Sequence, residues 1–584
     1  MVVRRVSAKV FRRMAEARGA SVASAAGRPG RGRGAGGSAR GRAAAVREII
    51  GAVRRRGDEA LIEYAARFDG VGLSLDGLTL GSEAIAAGAR ACPPEMREAL
   101  ALAMANIDAF HRRQVIGSWW EQGSADGGLW RGQLVRPLDS VGLYVPGGTA
   151  AYPSTVLMGA VPARVAGVRR VVICTPPLGD GSVPASVLAA AELCGITEIH
   201  PVGGAQAVAA LAYGTAAVRK VDKIIGPGNA YVAEAKRQVA GDVGIDAIAG
   251  PSEVLIIADE TADPALLAAD LLAQAEHDAL AVPVLIATSG ALLERTAAEL
   301  EAQVARMSRQ AIARQALAGQ GALVLVKSLD EAVELAGLFA PEHLELQVAD
   351  AFALLPAVRH AGSVFLGRLT AEAFGDYAAG VNHVLPTSGT ARFASSLGVA
   401  DFTVRSQALA VTPAGAAALD RASTVMARSE GLEGHALAVE ARRAAVGVEP
   451  GGVAPAAAPA ATVAPAAPEF ERSLAAGARE VFAAWGYREV GAPLFLPLED
   501  LDPALGSNGL RDRLFKFVDP SGRIMVVRPD WTLPVARGAV AALRSGSAPM
   551  RLSYAGDVYR RGSRASALSR GGSGDWEGAR IPQA

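Results

Sequence analysis

Alternation of short apolar segments with alanine- and leucine-rich helical stretches is the feature of this sequence that most constrains its fold. We predict six strands in this region: Val141–Val145, Val171–Cys174, Ile196–Val202, Lys223–Ile225, Val254–Ile257 and Val282–Ile286. Helical patterns such as Ser186–Cys194 and Ala205–Ala212 separate them. Apolar strands joined by helices form parallel sheets that are covered on both faces. The sequence therefore predicts an α/β fold, with enough segments for two such sheets.

Helical and low-complexity segments precede this region. A helical pattern begins near Val46, a longer one covers Ser82–Gln114, and Trp119–Arg136 has the aromatic and glycine content of strands and turns. Residues 1–17 predict a short basic helix, and residues 18–42 form a Gly/Ala/Arg-rich arm that we expect not to order itself. Such an arm is compatible with a transit peptide, a nucleic-acid contact or a plain mobile insertion.

A proline-, alanine- and glycine-rich run with almost no charge predicts a semi-extended linker near the C-terminal end. The chain after this linker is then a separate unit. We therefore predict an N-terminal helix and arm, a main domain, the linker and a C-terminal segment, at residues 1–45, 46–443, 444–468 and 469–584.

The composition excludes several classes of protein. The chain has 584 residues, with 59 Lys and Arg against 58 Asp and Glu, and the net charge of +1 opposes a general nucleic-acid binder. No apolar run approaches the roughly 18 residues that a membrane helix needs. The three cysteines, Cys92, Cys174 and Cys194, are too few and too scattered for a disulfide framework or a Cys-based zinc site. We expect a protein of a reducing, cytoplasmic compartment.

The histidines concentrate in the middle of the chain. There are seven, and none follows the linker. Four stand beside carboxylates, asparagine or glycine, and with one aspartate they could supply ligands and acid–base groups for a zinc-type site. These residues are His277, His343, His383, His435 and Asp376. The others, His111, His200 and His360, have no such neighbours and are interpreted as structural.

Gln274 and His277 lie near the end of an amphipathic pattern that predicts a helix from about Pro264 to Asp278. Helical residues three apart share a face, so the amide and the imidazole would lie side by side. They could then hold a divalent metal with further ligands from elsewhere. Alternatively, His277 only caps the helix end, where a cation suits the helix dipole.

Glu342 and His343 follow Pro341. Adjacent side chains on a strand point to opposite faces, but in a turn both could face one cleft. There the glutamate could activate water while the imidazole moves protons, because histidine titrates near neutral pH. The alternative is a solvent-facing loop pair without a chemical role.

Three glycine-rich turns, Tyr144–Thr149, Val202–Gln206 and Ile225–Asn229, each follow a predicted strand. Such turns let backbone N–H groups approach a ligand, often a phosphate, at the carboxyl end of a parallel sheet. None of them is a GxGxxG motif, so tight turns without a ligand are the alternative.

Taken together, these residues resemble the histidinol dehydrogenase family over roughly residues 46–443. The resemblance rests on strings in one order, which are YVPGGTAAYPSTVLM, VGGAQAVAALAYGT, KIIGPGNAYVAEAK, GPSEVLIIAD, AQAEHD, APEHLEL, FGDYAAGVNHVLPT and EGLEGHA. The insertion at residues 18–42 is the departure from the family's pattern. The resemblance implies two successive NAD-linked oxidations, of L-histidinol to L-histidinal and then to L-histidine, with one zinc ion (Zn2+) per site.

The resemblance also implies a role for each matched position. It implies zinc ligands at Gln274, His277, Asp376 and His435, and a catalytic pair at Glu342 and His343. The implied substrate contacts are Ser252, His383 and Glu430, together with His343 and the zinc ligands. The implied NAD contacts are Tyr144, Gln206 and Asn229. It further implies a homodimer of Rossmann-like domains with helical N- and C-terminal parts, in which an exchanged C-terminal part lets His435 serve the other copy's site.

The C-terminal segment carries a second resemblance. Its strings FAAWGYREVGAPLF, RLFKFVDPSGRIMVVRPDWTLPVAR and PMRLSYAGDVYRR, within residues 469–561, are similar to the histidyl-tRNA-synthetase-like regulatory subunit of ATP phosphoribosyltransferase. Residues 562–584 lack the pattern that should follow, so we expect a partial class II synthetase-like α+β segment without synthetase activity. The resemblance also implies a contact with the catalytic subunit of ATP phosphoribosyltransferase. A chain that kept only this regulatory role is the competing hypothesis, and the intact dehydrogenase site residues oppose it.

Overall fold

The structure is a computed structural model. It describes residues 3–25, 39–123, 128–147, 151–445, 487–490, 495–501, 514, 516–519, 523–527, 535 and 552–553. The chain divides into two compact units, Met1–Glu449 and Pro450–Ala584, which are described separately.

Helices and strands alternate through most of the first unit. Its first elements are β1 (Arg4–Ser7), α1 (Ala8–Ala25), α2 (Ala39–Arg56), α3 (Asp58–Tyr64), β2 (Leu80–Gly81), α4 (Ser82–Ala89), α5 (Pro94–Arg112), β3 (Trp119–Gly123), β4 (Leu129–Pro137), β5 (Ser140–Tyr144), α6 (Pro153–Ala166), β6 (Arg170–Cys174), α7 (Ala185–Leu193), β7 (Glu198–His200), α8 (Gly204–Tyr213), β8 (Lys223–Ile225), α9 (Ala230–Val239) and β9 (Gly244–Ile245). They are followed by β10 (Glu253–Ala258), α10 (Pro264–Ala275), β11 (Val282–Ala287), α11 (Gly290–Val304), α12 (Gln310–Gly319), β12 (Ala322–Leu325), α13 (Leu329–Phe339), β13 (His343–Gln347), α14 (Ala351–Leu354), β14 (Ser363–Leu366), α15 (Glu372–Tyr377), β15 (Thr403–Val411), α16 (Pro413–Ser429) and α17 (Glu433–Ala445).

The first sheet has six strands in the order β2-β7-β6-β5-β8-β9. β2 is antiparallel to β7, and the remaining pairs are parallel. After the edge strand β2, the chain enters the middle of the sheet at β5 and continues outward through β6 and β7. It then returns to place β8 and β9 on the other side of β5. In sheets of this type, ligands bind at the carboxyl ends of the strands where the order reverses, here β5 and β8.

The second sheet also has six strands, in the order β1-β12-β11-β10-β13-β14, and all of its pairs are parallel. It repeats the pattern of the first sheet, with β10 as the central starting strand and β13 on its return side. Every residue of β10 and β13 is buried. This is the burial expected of a parallel sheet with packed side chains on both faces.

The six strands predicted from apolar segments are confirmed to within two residues at each end. The mixed α/β fold with parallel sheets is likewise confirmed. The single long helical region predicted over Ser82–Gln114 is divided into α4 and α5. Pro93 and Pro94 lie at the start of α5, and proline is tolerated at a helix start but not in its interior.

Ordered elements precede the helical pattern that begins near Val46. Strand β1 is the edge of the second sheet and pairs in parallel with β12. Helix α1 runs to Ala25, beyond the predicted basic helix, and Phe11 stacks on Phe339 of α13 with 5.7 Å between ring centroids. Phe11 and Ala15 are almost completely buried, so a few apolar residues bring this basic segment into the core. Part of the predicted arm is therefore helical, and residues 26–38 lie outside the described residues.

A third, antiparallel sheet has the order β15-β4-β3. The α16–α17 hairpin follows β15, and several apolar side chains of this region are exposed, such as Trp120, Leu409 and Met426. No helix in the described part of the chain is long and apolar enough to span a bilayer.

The second unit is described only in short pieces. They are β16 (Arg488–Glu489), β17 (Phe495–Pro497), α18 (Leu498–Leu501), β18 (Lys516–Val518), β19 (Ile524–Val527) and β20 (Leu552–Ser553). β17, β19 and β18 form an antiparallel sheet, and β16 pairs in parallel with β20. The predicted linker lies outside the described residues, apart from Ala444 and Ala445 at the end of α17.

Candidate active site

The amino ends of β10 and β13 place the Glu342–His343 pair in a buried site. His343 is the first residue of β13 and lies beside Val254 of β10 in the parallel register. Helix α13 ends at Phe339, and Ala340 takes a left-handed φ of 51°, which turns the chain before the pair. The exposed fractions of Glu342 and His343 are 6% and 4%. The solvent-facing alternative for these two residues is therefore wrong.

Glu253, the first residue of β10, holds both members of the pair through its backbone. Its N–H donates to Glu342 Oε2 at 2.8 Å, and its carbonyl oxygen accepts from His343 Nδ1 at 2.9 Å. Because a carbonyl oxygen only accepts, Nδ1 carries a proton in this contact. The Glu253 carboxylate is itself buried, accepts from the Ser388 N–H at 2.7 Å and pairs with Arg18. Strand backbone thus fixes the orientation of the pair.

Other predicted site residues surround the His343 ring. Its Nε2 lies 3.5 Å from Asp376 Oδ1 and has no hydrogen-bond partner among the described residues. His383 Nδ1 donates to the Asp376 carbonyl at 2.9 Å. With its amide nitrogen turned toward Glu372, the buried Gln274 donates to Oε2 of that residue at 3.0 Å. Residues from α10, β13 and α15 therefore meet around one imidazole.

Burial and charge shift the pKa values of this group. Burial raises the pKa of Glu342 to about 8, although the nearby His343 opposes the shift. Burial alone would lower the pKa of His343, but the carboxylates of Glu342, Glu372 and Asp376 outweigh it and raise this pKa to about 10. Burial would raise the pKa of Asp376, but its contact with His343 lowers it. Without a cation the pair holds protons at neutral pH, and a cation bound nearby would lower both pKa values because it favours the carboxylate and the neutral imidazole.

His277 lies beyond the helix that the sequence predicts for it. Helix α10 ends at Ala275, and the His277 N–H donates to the Gln274 carbonyl at 3.3 Å in the turn that follows. The helix is therefore shorter than its apolar pattern predicts, and His277 lies two residues beyond its end. The His277 side chain is exposed, yet surrounding protein groups desolvate the ring and lower its pKa. A neutral imidazole is the form that binds metals.

The remaining predicted ligands are spread over two parts of the unit. Ser252 immediately precedes β10 and is half-buried. Glu430 and His435 are exposed on the α16–α17 hairpin. Across the described residues, no group of three or more His, Cys, Asp or Glu side chains is arranged to hold a metal. His435 therefore does not join His277 and Asp376 within one chain.

The predicted NAD contacts lie at the carboxyl edge of the first sheet. Tyr144 ends β5, and its hydroxyl oxygen accepts from the Gly204 N–H at 3.1 Å. Burial raises the pKa of Tyr144 to about 12, so the phenol stays protonated. Gln206 is buried on α8, and Asn229 follows β8 and caps α9 by accepting from two backbone N–H groups. All three residues therefore lie near the carboxyl ends of the strands of one sheet.

The turn before Asn229 depends on Gly226. Its φ is 105°, and a Cβ at this position would lie 2.1 Å from the Tyr144 carbonyl oxygen. The buried side chains of Lys236 and Asp246 hold its backbone, since Lys236 Nζ donates to the Gly226 carbonyl at 2.6 Å and Asp246 Oδ2 accepts the Gly226 N–H at 2.7 Å. The turns after β5 and β8 are thus packed together where the strand order reverses.

Several charged residues of the site are not identified by the sequence interpretation, and these are Arg18, Glu253, Asp270, Glu345 and Glu372. Arg18 falls in the predicted low-complexity arm, but its guanidinium lies 4.1 Å from the Phe339 ring centroid and burial lowers its pKa to about 10. A carboxylate in an otherwise apolar strand, such as Glu345 in HLELQ, was the available signal, because buried charges need partners.

The fold and site together define an α/β enzyme. It has a buried acid–base pair at the amino ends of the strands of one sheet and glycine-containing turns at the carboxyl ends of the strands of the other. The chain belongs to the histidinol dehydrogenase family, because the model of that family matches residues 36–443. It is therefore an oxidoreductase that acts on histidinol in histidine biosynthesis.

Individual relatives agree with this assignment. Histidinol dehydrogenase of Synechococcus sp. is 54% identical over 402 residues, which cover 69% of this chain and 92% of the relative. That of Geobacillus kaustophilus is 52% identical and covers 68% and 93%. The crystal structure of histidinol dehydrogenase from Elizabethkingia anophelis is similar with a TM-score of 0.67 and 37% identity, over 69% of this chain and 92% of that chain.

The C-terminal segment matches a different family. Residues 460–571 match the model of histidyl-tRNA synthetase. The predicted fusion of a histidinol dehydrogenase to a histidyl-tRNA-synthetase-like segment is therefore confirmed.

Proposed function

We propose that this chain is a zinc-dependent enzyme that oxidises L-histidinol to L-histidinal and then to L-histidine, with NAD as the hydride acceptor in both steps. The observation that carries the proposal is the buried Glu342–His343 pair, held by the backbone of Glu253. An alcohol oxidation needs a base for the hydroxyl proton, and an aldehyde oxidation needs water to be added first. The two side chains suit these two tasks.

His343 is the base of the first oxidation in this scheme. Its Nδ1 proton is donated to the Glu253 carbonyl, so when a bound cation favours the neutral ring, the free lone pair lies on Nε2. That atom has no hydrogen-bond partner among the described residues, and it lies on the side of Asp376. A substrate hydroxyl placed beside Nε2 would lose its proton to the ring as its carbon gives up a hydride.

Glu342 activates water in the second oxidation. Its Oε2 accepts from the Glu253 N–H, which leaves the other carboxylate oxygen for a water molecule. Burial raises its pKa, so once a bound cation favours the ionised form, the carboxylate is a stronger base than an exposed glutamate. The hydrated aldehyde would then be oxidised to the carboxylate product.

Zinc fits the residues that meet around His343. Gln274, His277 and Asp376 offer an amide oxygen, a neutral imidazole and a carboxylate, which suit zinc. The unpartnered His343 Nε2 and the surrounding acidic residues support this assignment, because a bound cation would interact favourably with them. When bound, zinc would hold the substrate in place rather than generate hydroxide, since four protein ligands leave an open position only if coordination expands.

We infer that the fourth ligand, His435, comes from a second copy of the chain in a homodimer. His435 is exposed on α17 and does not join His277 and Asp376 in one chain. The exposed apolar side chains of the third sheet and the α16–α17 hairpin give such a dimer a surface to bury.

NAD fits the first sheet, because its parallel strands on both sides of β5 suit a Rossmann-like description. Tyr144 ends β5 and Asn229 follows β8, the two strands where the order reverses, and Gln206 lies on the neighbouring α8. We also propose that the synthetase-like tail contacts the catalytic subunit of ATP phosphoribosyltransferase, a proposal supported by the match at residues 460–571.

The deciding experiment is NADH formation from L-histidinol by the purified chain, before and after chelation and after zinc is returned. We expect two NADH per histidinol, loss of turnover on chelation and recovery with zinc. A chain that turns over histidinol fully after its zinc has been removed, or that stops at one NADH, would contradict the proposal.

A further inference from the structure

A second buried polar cluster lies behind the catalytic pair and is formed by Asp270, Glu345 and Gln347. Gln347 Nε2 donates to Asp270 Oδ2 at 2.7 Å and to Glu345 Oε2 at 2.8 Å. The exposed fractions of Asp270, Glu345 and Gln347 are 9%, 1% and 2%. Burying polar groups to this degree costs free energy, so we expect this cluster to have a structural or functional role.

The cluster connects the elements that carry the site. Asp270 lies on α10, one turn before Gln274, and Glu345 lies on β13, two residues after His343. The other carboxylate oxygen of Glu345, Oε1, accepts from the N–H of Glu372 at 3.2 Å, and Glu372 is the first residue of α15. One carboxylate and one amide therefore bridge α10, β13 and α15.

The charges of the cluster are compatible with a fixed structure. Two carboxylates share one amide donor, and burial together with the nearby Asp270 raises the pKa of Glu345 to about 8. Burial raises the pKa of Asp270 as well. The pair thus retains a proton at neutral pH, and a shared proton turns two repelling anions into a hydrogen-bonded unit.

We propose that Asp270, Glu345 and Gln347 are positioning residues for the oxidation reaction, which hold α10, β13 and α15 together so that Gln274, the Glu342–His343 pair and Asp376 converge. None of these three side chains is among the proposed substrate contacts or zinc ligands. They act through the elements that carry the ligands and the base. The expected change in kcat rests on the proposed function, whereas the expected change in the packing of α15 does not.

The test compares two substitutions of Glu345. Glu345→Leu keeps the approximate size and removes both carboxylate contacts. Glu345→Gln keeps an acceptor for the Glu372 N–H, and its amide nitrogen can donate to Asp270 as the shared proton does. The matched control is Thr296→Val on α11 in the same half of the unit, because Thr296 is fully buried and its hydroxyl bonds only within that helix, to the Leu292 carbonyl.

The first readout is backbone amide exchange of the full chain. We expect Glu345→Leu to speed exchange in α15 by about tenfold, because the helix loses its anchor on β13. Glu345→Gln should leave it near the wild-type rate, and Thr296→Val should change exchange in α11 and not in α15. Unchanged α15 exchange in Glu345→Leu overturns the inference, whether or not the chain proves to be a dehydrogenase.

The second readout is kinetic and separates positioning from simple stability. We expect Glu345→Leu to lose about tenfold in kcat and in zinc retention against a chelator, with the KM for NAD unchanged, because the NAD turns belong to the other sheet. Glu345→Gln should recover most of this loss. If Glu345→Leu and Thr296→Val lose equal thermal stability and neither changes kcat or zinc retention, the cluster only stabilises the fold. A wild-type chain inactive on histidinol would contradict the proposed function, and the exchange experiment would still decide this one.

Discussion

Among single residues, Glu342 and His343 share one buried environment but serve different steps. Glu342→Gln can still accept from the Glu253 N–H, yet an amide cannot deprotonate water. We expect the oxidation of histidinal to fall by about 100-fold or more, while the oxidation of histidinol falls much less. NADH formation measured separately from each substrate checks this.

A matched control for Glu342→Gln is Glu334→Gln, on the exposed face of α13, where Glu334 pairs with Arg12. It makes the same chemical change away from the site and should leave both steps unaltered. If Glu342→Gln oxidised histidinal as fast as the wild-type enzyme, Glu342 would not be the residue that activates water in the second step.

His277 is the residue for which metal binding can be separated from NAD binding. His277→Asn replaces an imidazole with a weaker zinc ligand, so zinc affinity and turnover should fall together by about 10- to 100-fold. NAD binding should be unchanged, since Tyr144 and Asn229 lie on the other sheet. Metal analysis beside an NAD titration checks this, with His360→Asn as the control, and a His277 variant with full zinc and full turnover would leave that residue as a helix-end cap.

On the scale of secondary-structure elements, the turn between β8 and α9 depends on the buried Lys236–Asp246 pair that holds the Gly226 backbone. Lys236→Met should raise the KM for NAD by about tenfold and leave the KM for histidinol unchanged, because the loop loses one of its two anchors. Lys223→Met is the matched control, since Lys223 pairs with Asp401 at the opposite end of β8. Equal KM values for NAD in both variants would show that the pair is not needed for the turn.

A second prediction at this scale concerns acid stability across β6 and β7. Burial would raise the pKa of Glu198, but hydrogen bonds from His200 and from Arg170, at 2.8 and 2.9 Å for the latter, lower it to about 2. A depressed carboxyl pKa stabilises the fold above the unfolded pKa, and this contribution is lost as pH falls toward about 2.

Glu198→Gln should therefore lower stability at neutral pH by about 1–2 kcal/mol, a figure reduced for solvent screening of a partly exposed group. The difference in Tm between wild type and Glu198→Gln should narrow steadily below about pH 4.5, because there the carboxyl of the unfolded chain begins to take up a proton while that of the folded chain does not. A difference that stays constant down to about pH 3 would show that charge at Glu198 does not stabilise the sheets.

Sequence patterns predict an element well where all of its residues are buried. They predict it poorly where a few side-chain contacts determine whether the element packs against the core. Apolar strands such as β10 follow from composition, because a strand buried on both faces must be apolar. The docking of β1 and α1 does not, since only Phe11, Ala15 and a few neighbours bury within a basic, glycine-rich context. The site shows the same division. His343 and Gln274 stand in recognisable strings, whereas the backbone of Glu253 acts through atoms that every residue possesses.

On the scale of the whole molecule, the dehydrogenase unit and the tail are separable in structure. The first unit ends at Glu449, and α17 extends to Ala445. Truncation after Glu449 should leave histidinol oxidation and zinc content within about twofold of the full chain, because every proposed site residue precedes the cut. Loss of folding or of zinc in the truncated protein would show that the tail is an integral part of the enzyme.

The acidic lining of the site, with Glu342, Glu372 and Asp376 around one imidazole, also bears on how the reaction ends. In the proposed reaction the substrate arrives with a protonated amine, which the Asp376 carboxylate attracts because the pKa of that residue is lowered. The product keeps that amine but has gained a carboxylate of its own, and like charges in a buried site repel strongly. The oxidation thus converts a substrate that the site attracts into a product that the same side chains repel, so the reaction itself promotes product release before the next turnover.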